Sequence, residues 1–181
     1  SNNLKKECKE EINYCNKMFS RLIIFYNSNL PERICHNDCK LNNILFSDSN
    51  KALCMIDLDT IMKGYFHYDF GDAVRTIVNP ASEEEKNLSR VIFDKSLFKA
   101  FINGLKSNGE FLSKSEIKLL PLSTVLMPFI HGLRALTDYL NGNTYYKITY
   151  PKQNIIRAKN LFTFSRLAQK HENFMKKTIS D

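Results

Sequence analysis

The sequence has no C-x-x-C pair, no apolar stretch of membrane-spanning length, no internal repeat, and no glycine-rich strand-loop-strand ahead of its most distinctive motif. Each absence removes a class of protein. The five cysteines (Cys8, Cys15, Cys35, Cys39, Cys54) are odd in number and sit largely within apolar patterns. They read as reduced thiols of a cytoplasmic protein rather than as a disulfide framework. The longest uncharged apolar stretch, Leu119 to Ile130, is far shorter than the ~20 residues a membrane span needs. Neither a membrane helix nor a signal peptide is expected.

Charge is the next constraint. The chain carries +7, and Lys147 to Asp181 contributes eight basic against two acidic residues. Such a bias can mark a nucleic-acid surface. Here Arg157, Lys159, Arg166, Lys170, Lys176 and Lys177 are spread along a predicted amphipathic helix, with few aromatics on the same face. A solvated helix face is the usual cause, and no nucleic-acid partner is expected.

What is present is a concentration of oxygen-bearing side chains in one short run. Cys35-His36-Asn37-Asp38-Cys39-Lys40-Leu41-Asn42-Asn43 is followed by Asp57 in Met55-Ile56-Asp57-Leu58-Asp59. Phosphoryl transfer to a small molecule needs a carboxylate that accepts the proton of the attacking hydroxyl. It also needs an amide and a second carboxylate that hold Mg²⁺ against the nucleotide phosphates. Asp38, Asn43 and Asp57 supply that set in that order, with Asp38 as base and Asn43 and Asp57 as hard oxygen ligands. Asp59 can reach the metal through water or contact a substrate hydroxyl, and Lys40 can meet the γ-phosphoryl oxygens. His36 stands among cysteines, but zinc ligands come in tighter and more regular spacing.

The H-x-D-x-x-x-x-N spacing resembles the catalytic loop of protein kinases and, more closely, that of the aminoglycoside phosphotransferase-like small-molecule kinases. His36-Asn37-Asp38, Ile56-Asp57-Leu58-Asp59-Thr60, Tyr68-Asp69-Phe70-Gly71-Asp72 and Leu136-Thr137-Asp138-Tyr139-Leu140 resemble the N-acetylhexosamine 1-kinase branch. The resemblance runs from about Arg33 to about Phe164. It implies that Mg²⁺ and ATP serve the reaction, that His36 shapes the catalytic loop through hydrogen bonds, and that Asp69 and Asp72 brace that loop. It also implies that Arg134 and Tyr145 contact the N-acetyl sugar. Arg134 and Asp138 lie four apart on one helix face, where a simple ion pair is the alternative to a sugar contact. The chain departs from that branch at Ile130, Ala135 and Asn143, where the family tends to carry an acidic residue, Phe and Asp.

Residues 1–181 read as a single domain, mainly α with a small β-hairpin, corresponding to the C-terminal lobe of a protein-kinase-like fold. The nucleotide-binding N-terminal lobe is expected to be absent, so the chain alone should be inactive or nearly so. The uncovered lobe surface should favour pairing with another chain, as in a homo-oligomer. Apolar residues at three-and-four spacing predict a helix over Leu4–Tyr26. Arg33–Cys35, Ile44–Phe46 and Ala52–Ile56 read as strands, the last two joined by the turn Ser47-Asp48-Ser49-Asn50. Helices are predicted over Asp69–Val78, Phe93–Asn108, Glu116–Asn141 and Gln153–Lys177. Ser113 and Glu116 have capping-box spacing, and Pro121 and Pro128 are expected to kink or interrupt the long helix.

Overall fold

A computed structural model describes residues 2–108 and 110–181. The chain begins with two helices, α1 (Asn2–Glu7) and α2 (Lys9–Tyr26), broken at Cys8 where one continuous helix is predicted. Strands β1 (Arg33–Cys35), β2 (Ile44–Phe46), β3 (Ala52–Met55) and β4 (Met62–Gly64) follow. They form two small antiparallel sheets, β1 with β4 and β2 with β3. The predicted hairpin is the second of these. Strand β4 lies outside the sequence reading because Met62-Lys63-Gly64 carries no alternation to mark it.

The remaining elements are helical: α3 (Phe66–Ile77), α4 (Lys95–Lys106), α5 (Lys114–Leu140), α6 (Gln153–Lys170) and α7 (Glu172–Ser180). Helix α3 starts nearly a turn earlier than predicted. Asp94 caps α4 by accepting the amides of Ser96 and Leu97, which moves its start inward from Phe93. The predicted Gln153–Lys177 helix divides at His171, whose backbone amide closes the last turn of α6 on Leu167 and Ala168.

Helix α5 is the axis of the molecule, packed chiefly against α3 and α6. Its capping box is formed: Ser113 Oγ accepts from the Glu116 amide and the Glu116 carboxylate accepts from the Ser113 amide. Pro121 and Pro128 lie buried inside α5 without interrupting it. His67 Nε2 donates to the Glu116 carbonyl at 2.9 Å, which ties α3 to the first turn of α5. By length and composition α5 is apolar enough to cross a membrane, in contrast to the sequence expectation drawn from Leu119–Ile130 alone. Most of its apolar window is buried among the other helices, as befits a core helix.

The core runs through the aromatic rings of Tyr14, Phe129 and Phe162, packed edge-on and stacked at centroid distances of 5.3 to 5.8 Å. Tyr14 Oη donates to Ser165 Oγ at 2.8 Å, and Ser165 Oγ donates to the Val125 carbonyl at 2.7 Å, so one polar relay ties α2, α6 and α5 together. Each buried hydroxyl is thereby satisfied. Gly71 lets α3 approach α5 closely: a Cβ there would stand 2.2 Å from Met127 Cγ and 2.8 Å from the Ser123 carbonyl oxygen.

Candidate functional site

The loop after β1 is held from three sides. Asp69, in the first turn of α3, accepts the His36 amide through Oδ2 and the Asn37 amide through Oδ1, each at 2.7 Å. Thr60 Oγ1 donates to the His36 carbonyl at 2.7 Å. His36 Nε2 lies 3.0 Å from the Ile56 carbonyl and, facing an acceptor, carries the proton. The loop is therefore bonded to the residue that precedes Asp57. Asn37 sits at φ 62°, a left-handed conformation that Asn tolerates better than most residues. Its side chain donates to the carbonyls of Cys35 and Thr60 at 3.2 Å each.

These restraints deliver Asp38. Its Oδ2 accepts from Lys40 Nζ at 2.6 Å and from Asn43 Nδ2 at 2.9 Å. Its Oδ1 has no partner among the described residues, and the side chain is 24% exposed. One carboxylate oxygen is anchored and the other is open to accept a hydrogen bond. Lys40 thus stands on the Asp38 carboxylate and offsets its charge.

The β2–β3 hairpin brings Asn43 and Asp57 together. Ile44 pairs with Met55, and the Ile56 amide donates to the Asn43 carbonyl at 2.9 Å, so the two residues flank one end of the ladder. Asn43 Nδ2 lies 3.5 Å from Asp57 Oδ2. Because the Asn43 amide nitrogen is spent on Asp38, its oxygen is the free end. Asp57 sits at φ 65°, an uncommon conformation for a residue with a Cβ, of the kind that concentrates at functional sites. Among the described residues no group of three or more His, Cys, Asp or Glu side chains forms a metal cage. Mg²⁺ takes only one or two protein carboxylates with water and substrate phosphates, and the donor set of one amide oxygen and one carboxylate fits it. Asp59 is exposed in the turn that follows.

Cys35 and Cys39 border this loop without joining its chemistry. Burial pushes their thiols up to about 11 and about 12 respectively, so neither is a thiolate near neutrality. All five cysteines are free.

A cleft of about 1080 Å³ opens beside the loop, lined by Asp38, Lys40 and Thr60 on one side and by His131, Arg134 and Tyr146 on the other. Asp38 and Arg134 therefore face one space, as the sequence reading requires. Tyr145 does not line it. That ring is 71% exposed and lies with Arg134 and Asp138 at a neighbouring depression of about 450 Å³. Arg134 Nη2 donates to Tyr145 Oη at 3.3 Å and stands over both tyrosine rings, and of the two tyrosines it is Tyr146 that lines the cleft.

Asp138 is held by the loop that follows α5. It makes no ion pair with Arg134; its carboxylate accepts the amides of Thr144, Tyr145 and Tyr146 and the side-chain amide of Asn154, at 2.8 to 3.0 Å. Burial pushes its pKa up, but these hydrogen bonds outweigh burial and hold it below the usual carboxylate range. Asp138 shapes the loop that carries the tyrosines. Asp72 likewise does not touch the catalytic loop; it accepts from Arg75 Nε at 2.7 Å and from His131 at 2.8 Å. Asp72 and Arg75 form an i,i+3 ion pair within α3.

Sequence reasoning missed a charge network that runs from buried Asp72 and Arg75 to part-exposed Glu83 and Arg157 along the cleft. Arg75 pairs with Asp72 and also with Glu83, which accepts from Arg157 Nη2 at 2.6 Å. Arg157 therefore belongs to the cleft, not to a solvated helix face. Arg166 lies over the Tyr14 ring at 4.1 Å, a second basic residue with a structural place. The signal available in the sequence was Glu83-Glu84-Glu85, an acidic run with no basic neighbour except Lys86.

Residues 5–88 match the model of the phosphotransferase enzyme family. The matched segment contains the catalytic loop, the hairpin with Asn43 and Asp57, and Asp69. Enzymes of that family are kinase-like phosphotransferases acting on small molecules, and they generally use ATP and Mg²⁺. The mainly α architecture with its two small antiparallel sheets is consistent with the kinase-like fold. The match ends before α4 to α7, and with them Arg134, Asp138 and Tyr145.

Proposed function

We propose that this chain is the acceptor-binding lobe of a small-molecule kinase that transfers the γ-phosphoryl group of ATP to the anomeric hydroxyl of an N-acetylhexosamine. The observation that carries the reading is the Asp38 carboxylate, with one oxygen anchored by Lys40 and Asn43 and the other open to the cleft. The open oxygen accepts the proton of the attacking hydroxyl. Asn43 and Asp57 would hold Mg²⁺, which supplies neutralisation of the phosphate charge. Asp69 and His36 fix the loop, and most of the rate comes from such positioning.

The sugar assignment rests on Arg134 and the adjoining tyrosines. A guanidinium donates well to an acetamido carbonyl, and a tyrosine ring packs on a pyranose face. Choline would call for an aromatic cage around its cation, and an aminoglycoside for a cluster of free carboxylates. Of the acidic residues that line the cleft, Glu83 is already paired with Arg75 and Arg157, which favours an uncharged acceptor.

Among the described residues no strand precedes β1, and nothing there resembles a loop over phosphates. We therefore propose that the chain alone binds acceptor but turns over slowly. The exposed apolar side chains of the two sheets, Ile34, Leu53, Met62 and Phe46 among them, favour covering by another lobe or a second copy. The free, largely high-pKa thiols favour a cytoplasmic setting.

The test has two arms. Saturation-transfer NMR on this chain measures binding of N-acetylglucosamine, N-acetylgalactosamine, choline and an aminoglycoside. A ³¹P assay with Mg-ATP, on this chain and on a form extended upstream, measures turnover with Asp38→Asn as control. An N-acetylhexosamine that binds, and is phosphorylated only when Asp38 is intact, is the expected result. Phosphorylation of choline or the aminoglycoside instead would replace the sugar, and no turnover by a folded extended form would point to a pseudokinase.

A further inference from the structure

His131 lines the same cleft as Asp38 and projects from α5 one turn before Arg134. Its Nε2 lies 2.8 Å from Asp72 Oδ1, the oxygen that also accepts from Arg75 Nε at 2.7 Å. Asp72 is 1% exposed. Behind it, Arg75 binds Glu83 and Glu83 binds Arg157, so charged residues from α3, the segment after it and α6 stand in line behind one imidazole.

The proton between His131 and Asp72 can be placed. Burial pushes the Asp72 pKa up, but the His131 hydrogen bond and the charge of Arg75 outweigh it and hold the carboxyl below its usual value. An ionised carboxylate only accepts, so Nε2 carries the hydrogen. In the neutral ring the lone pair then sits on Nδ1. That nitrogen has no hydrogen-bond partner among the described residues and is not buried, and His131 lines the cleft. The Asp72–Arg75 ion pair is complete without the ring, so packing and charge balance alone do not call for an imidazole here.

We propose that His131 is an acceptor-binding residue, with Nδ1 accepting a hydrogen bond from a hydroxyl of the phosphoryl acceptor other than the one that reacts. Asp72 is its positioning residue. The inference rests on the cleft being the acceptor site, and it defines the acceptor as a polyol with at least two hydroxyls. Choline, whose single hydroxyl is the reacting one, lacks the required donor.

The experiment follows the His131 ring resonances by ¹H–¹³C NMR while the purified chain is titrated with N-acetylglucosamine, N-acetylgalactosamine, choline and an aminoglycoside. Dissociation constants are measured for wild type, His131→Phe and Asp72→Asn, and melting temperatures are recorded. A polyol that shifts the His131 ring and binds at least fivefold more weakly to His131→Phe, with folding retained, is the expected result. Asp72→Asn should weaken the same acceptor, and it carries the test together with the wild-type ring shift if His131→Phe does not fold. An acceptor that binds wild type and His131→Phe equally, or leaves the ring resonances unmoved, overturns the inference while the N-acetylhexosamine reading stands. Binding by a different polyol only, still weakened in His131→Phe, upholds His131 and overturns the sugar. Binding by choline alone, or by no member of the panel, overturns both.

Discussion

The side-chain amide of Asn43 donates to both the backbone carbonyl and the carboxylate of Asp38, at 2.9 Å in each case. A residue expected from the sequence only as a metal ligand therefore also orients Asp38, the proposed base. Asn43→Ala removes both roles at once. Turnover by the extended form should fall by roughly 10²-fold or more, accompanied by a higher Mg²⁺ requirement. The two hydrogen bonds lost are worth about 1 kcal/mol each, so the melting temperature should fall by only several degrees. Turnover within twofold of wild type would separate Asn43 from the chemistry.

Asp69 carries the loop that leads to Asp38 on two backbone amides. Asp69→Asn replaces one accepting oxygen by an NH₂ group aimed at an N–H donor, so one bond is lost and its donor is left facing another. Charge-assisted bonds of this kind contribute about 1.5–3 kcal/mol each. The expected outcome is faster amide hydrogen exchange at His36 and Asn37, together with lower turnover. Unchanged exchange at both amides would show that the loop holds itself.

Glu116 joins the helix cap of α5 to β1. Its carboxylate accepts Arg33 Nε at 2.6 Å and Nη2 at 2.8 Å, as well as the Ser113 amide and hydroxyl at 2.8 Å. The Arg33 hydrogen bonds dominate and, with the cap, hold its pKa at about 2 against the opposing effect of burial. A carboxyl depressed in the folded state stabilises fully above its unfolded pKa of about 4.5 and loses that contribution as pH falls toward 2. The contribution is on the order of 3 kcal/mol. Urea unfolding between pH 6 and 2.5 should show this loss, and Glu116→Gln should flatten it while lowering stability at pH 6. An unchanged pH slope in the variant would assign the acid sensitivity elsewhere.

Gly71 separates two helices that nearly touch. Gly71→Ala places a methyl against Met127 and the Ser123 carbonyl, and backbone cannot yield as a flexible side chain can. Overpacking of this kind costs about 1–3 kcal/mol, despite the better helix propensity of Ala. A melting temperature equal to or above wild type would mean that α3 slides freely on α5.

The grouping of Asp38, Asn43 and Asp57 was legible because its determinants are local. Asp38, Asn43 and Asp57 are related by one loop and one hairpin turn, and spacing along the chain translates directly into spacing in three dimensions. Arg134, Tyr145 and Tyr146 are not so related: which tyrosine enters the cleft depends on the turn after α5. Asn143 at φ 59° and Gly142 at φ 88° decide that turn, and no periodicity records it. The Asp72–Arg75–Glu83–Arg157 network was half legible. Its i,i+3 pair follows from helix geometry, whereas Arg157 reaches Glu83 only through the packing of α6. Helix ends at Cys8 and His171 were invisible for a related reason, since neither is a breaking residue.

The loop at Tyr145 and Tyr146 gives the last prediction. Three consecutive backbone amides converge on the Asp138 carboxylate, and Asn154 locks the same group from α6. Without that anchor the tyrosines are no longer held against Arg134, yet nothing at Asp38 changes. Asp138→Asn should therefore raise the KM for acceptor by about tenfold, in line with loss of positioning bonds worth roughly 1–2 kcal/mol. The KM for nucleotide and kcat should stay near wild type. If Asp138 instead contacted the acceptor in the transition state, kcat and kcat/KM would fall together. The two outcomes distinguish a residue that builds the wall of the cleft from one that touches what enters it.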